Sequence, residues 1–194
     1  DIFVRNPTTS YAFGEVKKFT NSKSESYTYN SLNLFVKEGI LVKEKKGGLK
    51  VYKLAENPKA LSYISMVAEY KAWNKKGFPI DSIYRLFQKI NINFFTLLVV
   101  GSYVINRQTE QSDLDIILIV YNDAKKISSE LRHFCEMNIP LLHLYVFTEN
   151  EFQQMLLDRK HNYGKESVKN NLIFYGAEFY YKIIFEAMKN GFNY

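Results

Sequence analysis

The sequence predicts an α/β chain of mixed α+β character, built in two parts. Two observations carry this. From Phe94 onward, short apolar runs alternate with helical patterns, which argues for a sheet with helices against it. Before Ala55, helical stretches lead into a lysine-rich hairpin. A length of 194 residues suits one large or two small domains, and 46% hydrophobic residues suffice for a core. The expected divisions are 1–55, a helical connector over 56–92, and 93–194.

Ile2 to Asn6 reads as the tail of a helix stopped by Pro7. A second short helix is expected near Phe13 to Phe19. Asn21-Ser22-Lys23-Ser24 supplies turn and N-cap residues for a third, with Tyr29, Leu32, Phe35 and Val36 on one face. Gly39 suits its left-handed cap. Strands follow at Ile40 to Glu44 and Lys50 to Leu54, with Lys45-Lys46-Gly47-Gly48 as the hairpin tip.

Asn57-Pro58 opens an amphipathic helix carrying Leu61, Ile64, Val67 and Ala68, which fades near Gly77. Pro79 opens another, carrying Ile80, Ile83, Leu86 and Phe87. No linker rich in Gly, Ser or Pro separates the parts, and no repeat is visible. Strands are then expected at Phe94 to Val100, Asp113 to Tyr121 and Leu141 to Phe147. Helices are expected at Ser102 to Asn106, Ala124 to Met137 and Glu149 to Leu157, the last opened by Thr148. Asn171 to Phe174 adds a final strand, and Gly176 turns it into a helix bearing Phe179, Ile183, Ile184 and Met188. Leu114 to Val120 is apolar on both faces after Asp115, so it belongs inside the sheet.

No apolar run approaches the length of a membrane span. The chain starts at Asp1 without the basic-then-apolar layout of a secretion signal. Cys135 is alone, which excludes an internal disulfide and cysteine metal sites. A reducing cytoplasm and no membrane partner are the expectation. The net charge of +6 is uneven: residues through Ala55 hold ten Lys/Arg against five Asp/Glu. A basic front end suggests a nucleic-acid contact, with a solvated lysine surface as the alternative.

The most informative stretch is Gly101-Ser102, followed by Asp113-Leu114-Asp115 at the mouth of an apolar strand. Residues two apart in a strand share a face, so both carboxylates aim at one spot. Such a pair is costly unless a cation sits between or one carboxylate takes a proton. A Gly-Ser turn after a strand brings backbone N–H groups close to a phosphate. Together they suggest Mg²⁺ or Mn²⁺ with a nucleoside triphosphate.

The order strand, Gly101-Ser102, short helix, then Ser112-Asp113-Leu114-Asp115 resembles the nucleotidyltransferases related to DNA polymerase beta. The closest likeness is to their minimal nucleotidyltransferase domains. The resemblance implies a mixed sheet with helices. It also implies metal binding by Asp113 and Asp115 and nucleotide binding by Gly101, Ser102, Arg107 and Ser112. Ser112 also reads as a turn residue, Arg107 as an exposed loop arginine, and Tyr103 as a core residue or a base-stacking ring. The chain departs from the family twice. Asn106 stands where many relatives have glycine, and His143 stands where a third carboxylate is expected. Imidazole is a poor Mg²⁺ ligand but can accept a proton, so His143 joins Asp113 and Asp115 as a candidate catalytic residue. Lys160, His161 and Lys165 lie in an expected polar loop, and a Ser-His-Asp hydrolase has no support.

Helix, helix and basic hairpin around Leu34-Phe35-Val36-Lys37-Glu38-Gly39-Ile40-Leu41-Val42 resemble the winged helix-turn-helix. That implies DNA contacts from Lys23, Ser24, Ser26, Tyr27 and Asn30 on the second helix of the pair. Wing lysines Lys45, Lys46 and Lys50 would meet phosphates. The recognition helix lacks arginine, so strong guanine readout is missing. Such domains also serve as protein contacts, so a homodimer is an alternative.

The leading expectation is a Mg-dependent transferase moving a nucleoside monophosphate from an NTP to an acceptor, with a DNA-binding front end. The acceptor is a protein side chain, an RNA end or a small molecule, the first suggested by analogy with minimal nucleotidyltransferases. The alternative is a transcriptional regulator whose second half senses nucleotide without catalysis. No residue pattern names the base, the acceptor or the DNA site.

Overall fold

The computed structural model describes residues 2–192. The chain divides into two compact units, residues 1–67 and 68–194.

The first unit opens with α1 (Ile2–Arg5), β1 (Tyr11–Ala12), α2 (Phe13–Phe19) and α3 (Glu25–Lys37). Strands β2 (Leu41–Lys46) and β3 (Leu49–Leu54) then form a hairpin, and β1 adds to β3, giving the antiparallel order β1-β3-β2. Gly47 and Gly48 both have positive φ, 56° and 81°. A two-residue turn that matches the twist of the strands needs this, and only glycine adopts it freely. The tip is therefore Gly47-Gly48 alone, while Lys45 and Lys46 belong to β2. The side chain of Ser24 caps α3 by accepting from Tyr27 N–H. The buried face of α3 carries Thr28 and Leu32, not Tyr29, which is 51% exposed. Thr28 tolerates burial because its hydroxyl hydrogen-bonds Ser24 C=O and the Ser22 hydroxyl. Tyr11, Val16, Leu32, Ile40, Leu41, Tyr52 and Leu54 form the core of this unit.

Helix α4 (Pro58–Trp73) leads into the second unit, followed by α5 (Ile80–Lys89). The sheet of this unit comprises β4 (Phe95–Val100), β5 (Leu114–Val120), β6 (Leu142–Thr148) and β7 (Leu172–Tyr175), in the order β6-β5-β4-β7. β4 is antiparallel to β5 and β7, whereas β5 and β6 are parallel. Parallel neighbours need a crossover, and α6 (Ala124–Glu136) provides it. The inner strands account for the continuous apolar runs: all of β4 is buried, and in β5 only Asp115 is not. One face packs Leu97, Val99, Ile116 and Leu118 with Ile83 and Leu86 of α5 and Ile127 and Leu131 of α6. Helices α7 (Glu149–Leu157) and α9 (Ala177–Lys189) contact the sheet through β5 and β4. Trp73 Nε1 donates to Phe174 C=O at 2.8 Å, tying the end of α4 to β7.

Two expectations fail in the second unit. Ser102 to Asn106 is not a helix but a turn. Val104 N–H bonds Gly101 C=O, Arg107 N–H bonds Ser102 C=O, and Asn106 at φ 57° blocks helical continuation. The polar loop around Lys165 is instead α8 (Tyr163–Lys169), whose N-cap Asn162 accepts from Lys165 N–H.

Candidate functional site

The site forms where β4 ends and β5 begins. Gly101 follows Val100 with φ 77°, and a Cβ there would lie 2.4 Å from Asp115 Oδ2. A side chain here would be strained by the positive φ and would push the Asp115 carboxylate aside, so the bare backbone turn and the carboxylate come into close contact. Asn106 closes the turn in the left-handed conformation that asparagine tolerates. Its side-chain carbonyl accepts from Lys75 Nζ at 2.7 Å. The departure from glycine at 106 is thus accommodated by a residue able to take the same backbone shape.

Ser112 holds the far side of the loop. Its hydroxyl accepts from Thr109 N–H at 2.8 Å, and its carbonyl accepts from the Tyr103 hydroxyl at 3.2 Å. Tyr103 packs edge-on against Phe78 at 5.9 Å. Both residues therefore serve the loop and core. Ser102 is half-buried in the turn and Arg107 is exposed.

Asp113 precedes β5, and Asp115 sits within it opposite His143 of β6. His143 Nε2 lies 3.5 Å from Asp113 Oδ2, and Nδ1 lies 3.7 Å from Asp115 Oδ1. The two carboxylates and the imidazole thus share one face. Burial raises the Asp115 pKa above the ordinary carboxylate value. The Asp113 charge raises it further, and His143 pulls it down.

Sequence reasoning missed two residues beside this group. Tyr145 stands two positions after His143 on the same face of β6, and its ring packs on Tyr163 of α8 at 4.6 Å. The Tyr163 hydroxyl is buried without a hydrogen-bond partner. Its pKa is raised by burial and by the nearby Asp115. The period-two pattern of β6 pointed to Tyr145; nothing placed Tyr163 while α8 was read as loop.

A divalent cation fits this donor set through the carboxylate pair. Hard cations such as Mg²⁺ take one or two carboxylates and fill their remaining positions with phosphate oxygens and water. Among the described residues, no group of three or more His, Cys, Asp or Glu side chains is arranged to hold a metal. His143 stands at ion-pair distance from both acids.

The remaining candidates lie elsewhere. His161 Nε2 contacts Glu166 at 2.9 Å, and the Lys165 ammonium bonds Asp158 C=O. Lys160 is exposed. In the first unit, Lys23, Ser24, Ser26, Tyr27 and Asn30 are exposed at the start of α3, and Lys45, Lys46 and Lys50 are exposed on the hairpin. No described helix is long and apolar enough to cross a membrane.

No curated protein and no solved structure matches this chain. The whole mixed sheet, from the approach to β4 through the end of β7, falls within residues 89–175, and this segment matches the family model described as Nucleotidyltransferase domain.

Proposed function

We propose that the second unit is a divalent-metal-dependent nucleotidyltransferase that uses an NTP, with ATP and Mg²⁺ as the first choices. The observation that carries this is the convergence of Asp113, Asp115 and His143 beside the Gly101 turn. Asp113 and Asp115 hold the metal, which when bound offsets triphosphate charge. Backbone N–H groups of the turn and the Ser102 hydroxyl bind the triphosphate. An acceptor hydroxyl oxygen forms a bond to the α-phosphorus, the bond to the bridging oxygen breaks, and pyrophosphate leaves. His143 is the group placed to take the acceptor's proton, in the role that the third carboxylate has in the family. The test is transfer from α-labelled NTP, with calorimetry of NTP and Mg²⁺. Asp113→Asn with Asp115→Asn should abolish both transfer and metal-dependent binding. Unchanged binding in the double variant removes the proposal.

The first unit is proposed to bind DNA as a winged helix-turn-helix. The supporting observation is the element order, with exposed polar residues at the start of α3 and the exposed lysines Lys45, Lys46 and Lys50 on the hairpin. Replacing Lys45, Lys46 and Lys50 with alanine should weaken binding evenly across sequences. It should also flatten the dependence of log K on log salt by roughly 2–3. An unchanged slope counts against the wing as the phosphate contact.

A second reading is favoured by His143 alone. With an imidazole between the carboxylates, the unit senses nucleotide without transferring it. In that case wild type binds NTP but shows no transfer to any acceptor, and nucleotide shifts its DNA affinity.

A further inference from the structure

β6 ends the sheet. Its inner side pairs with β5, and no strand pairs with its outer side among the described residues. The register fixes which backbone groups face outward. Leu114 N–H donates to Leu141 C=O at 2.8 Å, and Leu114 lies opposite Leu142. Residues 141, 143, 145 and 147 thus turn N–H and C=O toward β5, and Leu142, Leu144 and Val146 turn theirs away. Soluble proteins guard such an edge with lysine, proline or a bulge, or by covering it. The run Leu142-His143-Leu144-Tyr145-Val146-Phe147-Thr148 has no lysine and no proline, and its register with β5 is unbroken.

Beside this edge a groove of about 400 Å³ opens between α6 and β6, and its helix side includes Ser128, Arg132 and Glu136. These residues are four apart and form one stripe on α6. Their spacing of about 6 Å along the helix is close to the roughly 6.6 Å between alternate residues of a strand. Arg132 and Glu136 are exposed, and no ion pair among the described residues uses either.

We propose that the outer edge of β6 is a docking strand for an extended segment of a partner protein that carries an acidic side chain opposite Arg132. Only another polypeptide backbone supplies the donors and acceptors that Leu144 and Val146 turn outward, while Leu142, 3% exposed, closes that end of the edge. Alternate side chains of the added strand meet the stripe on α6, where Arg132 is the central charge. A second copy fits less well. A two-fold axis at the centre of the stripe would set two Arg132 guanidiniums against each other, a like-charge contact. The other side chains of the docked strand flank His143 and Tyr145, so the surface is continuous with the carboxylate face. The docking requires no transfer activity and stands or falls separately from it.

The test uses the whole chain and a fluorescein-labelled peptide of alternating Thr and Val with one central Asp, read by anisotropy and by amide exchange at Leu144 and Val146. Wild type is expected to bind the peptide and protect both amides. Arg132→Glu should weaken binding about tenfold, and a peptide with central Lys should recover that loss on the Arg132→Glu chain. Leu144→Pro should abolish binding, since it removes an outward N–H and no bond to β5. If circular dichroism shows that variant unfolded, the charge swap decides alone. Failure of wild type to bind either peptide overturns the proposal, as does equal binding of both peptides by wild type and Arg132→Glu. A wild-type dimer that Leu144→Pro dissolves, seen by sedimentation, overturns it in favour of a second copy.

Discussion

Replacing Gly101 with alanine is expected to destabilise the second unit by about 1.5–3.5 kcal/mol and to displace Asp115. Two costs add. A non-glycine residue in left-handed backbone costs about 1–2 kcal/mol. The new Cβ would also lie 2.4 Å from Asp115 Oδ2, where real contacts stay beyond 3.0 Å, so the carboxylate must retreat by roughly 0.6 Å. Driving a half-buried side chain off its rotamer costs about 0.5–1.5 kcal/mol. For a chain of this size, the sum lowers Tm by roughly 3–14 °C. The assay is a double-mutant cycle in denaturant with Asp115→Ala. Without the carboxylate only the backbone cost remains, so Gly101→Ala should cost about 0.5–1.5 kcal/mol less in that background. Additivity to within about 0.3 kcal/mol would refute the claim that glycine is required here by the carboxylate as well as by the turn.

Gly176→Ala should be worse than Gly101→Ala, costing more than about 3 kcal/mol. Its Cβ would lie 2.3 Å from the Phe95 backbone oxygen, which cannot swing aside, and its φ is 72°; a milder loss in chemical denaturation would refute this. Thr148→Ala should cost about 1 kcal/mol, because Thr148 and Glu151 cap α7 reciprocally. The backbone and side-chain bonds from Thr148 hold the Glu151 carboxyl below its ordinary value. The stability it brings is present above the ordinary carboxylate range and is lost as pH falls through the lowered value. The Thr148→Ala penalty measured in urea should therefore shrink in strong acid. Cys135 is 3% exposed, and burial pushes its thiol up to about 11. Iodoacetamide at pH 8 should leave it unmodified until the chain unfolds, and rapid stoichiometric labelling of native protein would contradict the burial.

The elements most legible in the sequence were those with a strong period or an unambiguous cap. The runs entering Gly101 and leaving Asp115 became the two inner strands, and Thr148 marked the start of α7 where the structure has it. Weaker local signals misled. Tyr29 has the right helical spacing for the core of α3, yet Thr28 occupies that place because its hydroxyl finds two partners. The Ser102 to Asn106 stretch carries helix-compatible residues, but two turn bonds and a left-handed Asn106 override them. α8 was hidden because its glycine and lysines resemble a loop, although Asn162 offered a cap. At the site, strand periodicity indicated that Asp113 and Asp115 face alike. The pairing of Asp115 with His143 depends on a parallel register across a crossover, which no local pattern encodes. Tyr163 approaches through tertiary packing alone.

The loop from Gly101 to Asp113 is hung between two strands whose facing ends, Val100 and Leu114, are nearly or fully shut off from solvent. Most of the loop is exposed or half-buried, so its amides should open far more readily than those of β4 and β5. This separates two kinds of change open to such a protein over evolutionary time. Substitutions at the exposed Gln108, Glu110 and Gln111 can reshape what the loop touches at little cost to the sheet, because they leave the bonded Asn106, Arg107 and Thr109 in place. Changes at Gly101 or Asp115 cannot be absorbed in that way, since each is fitted against the other. Divergence in this chain should accordingly collect in the span of the loop and spare its anchors.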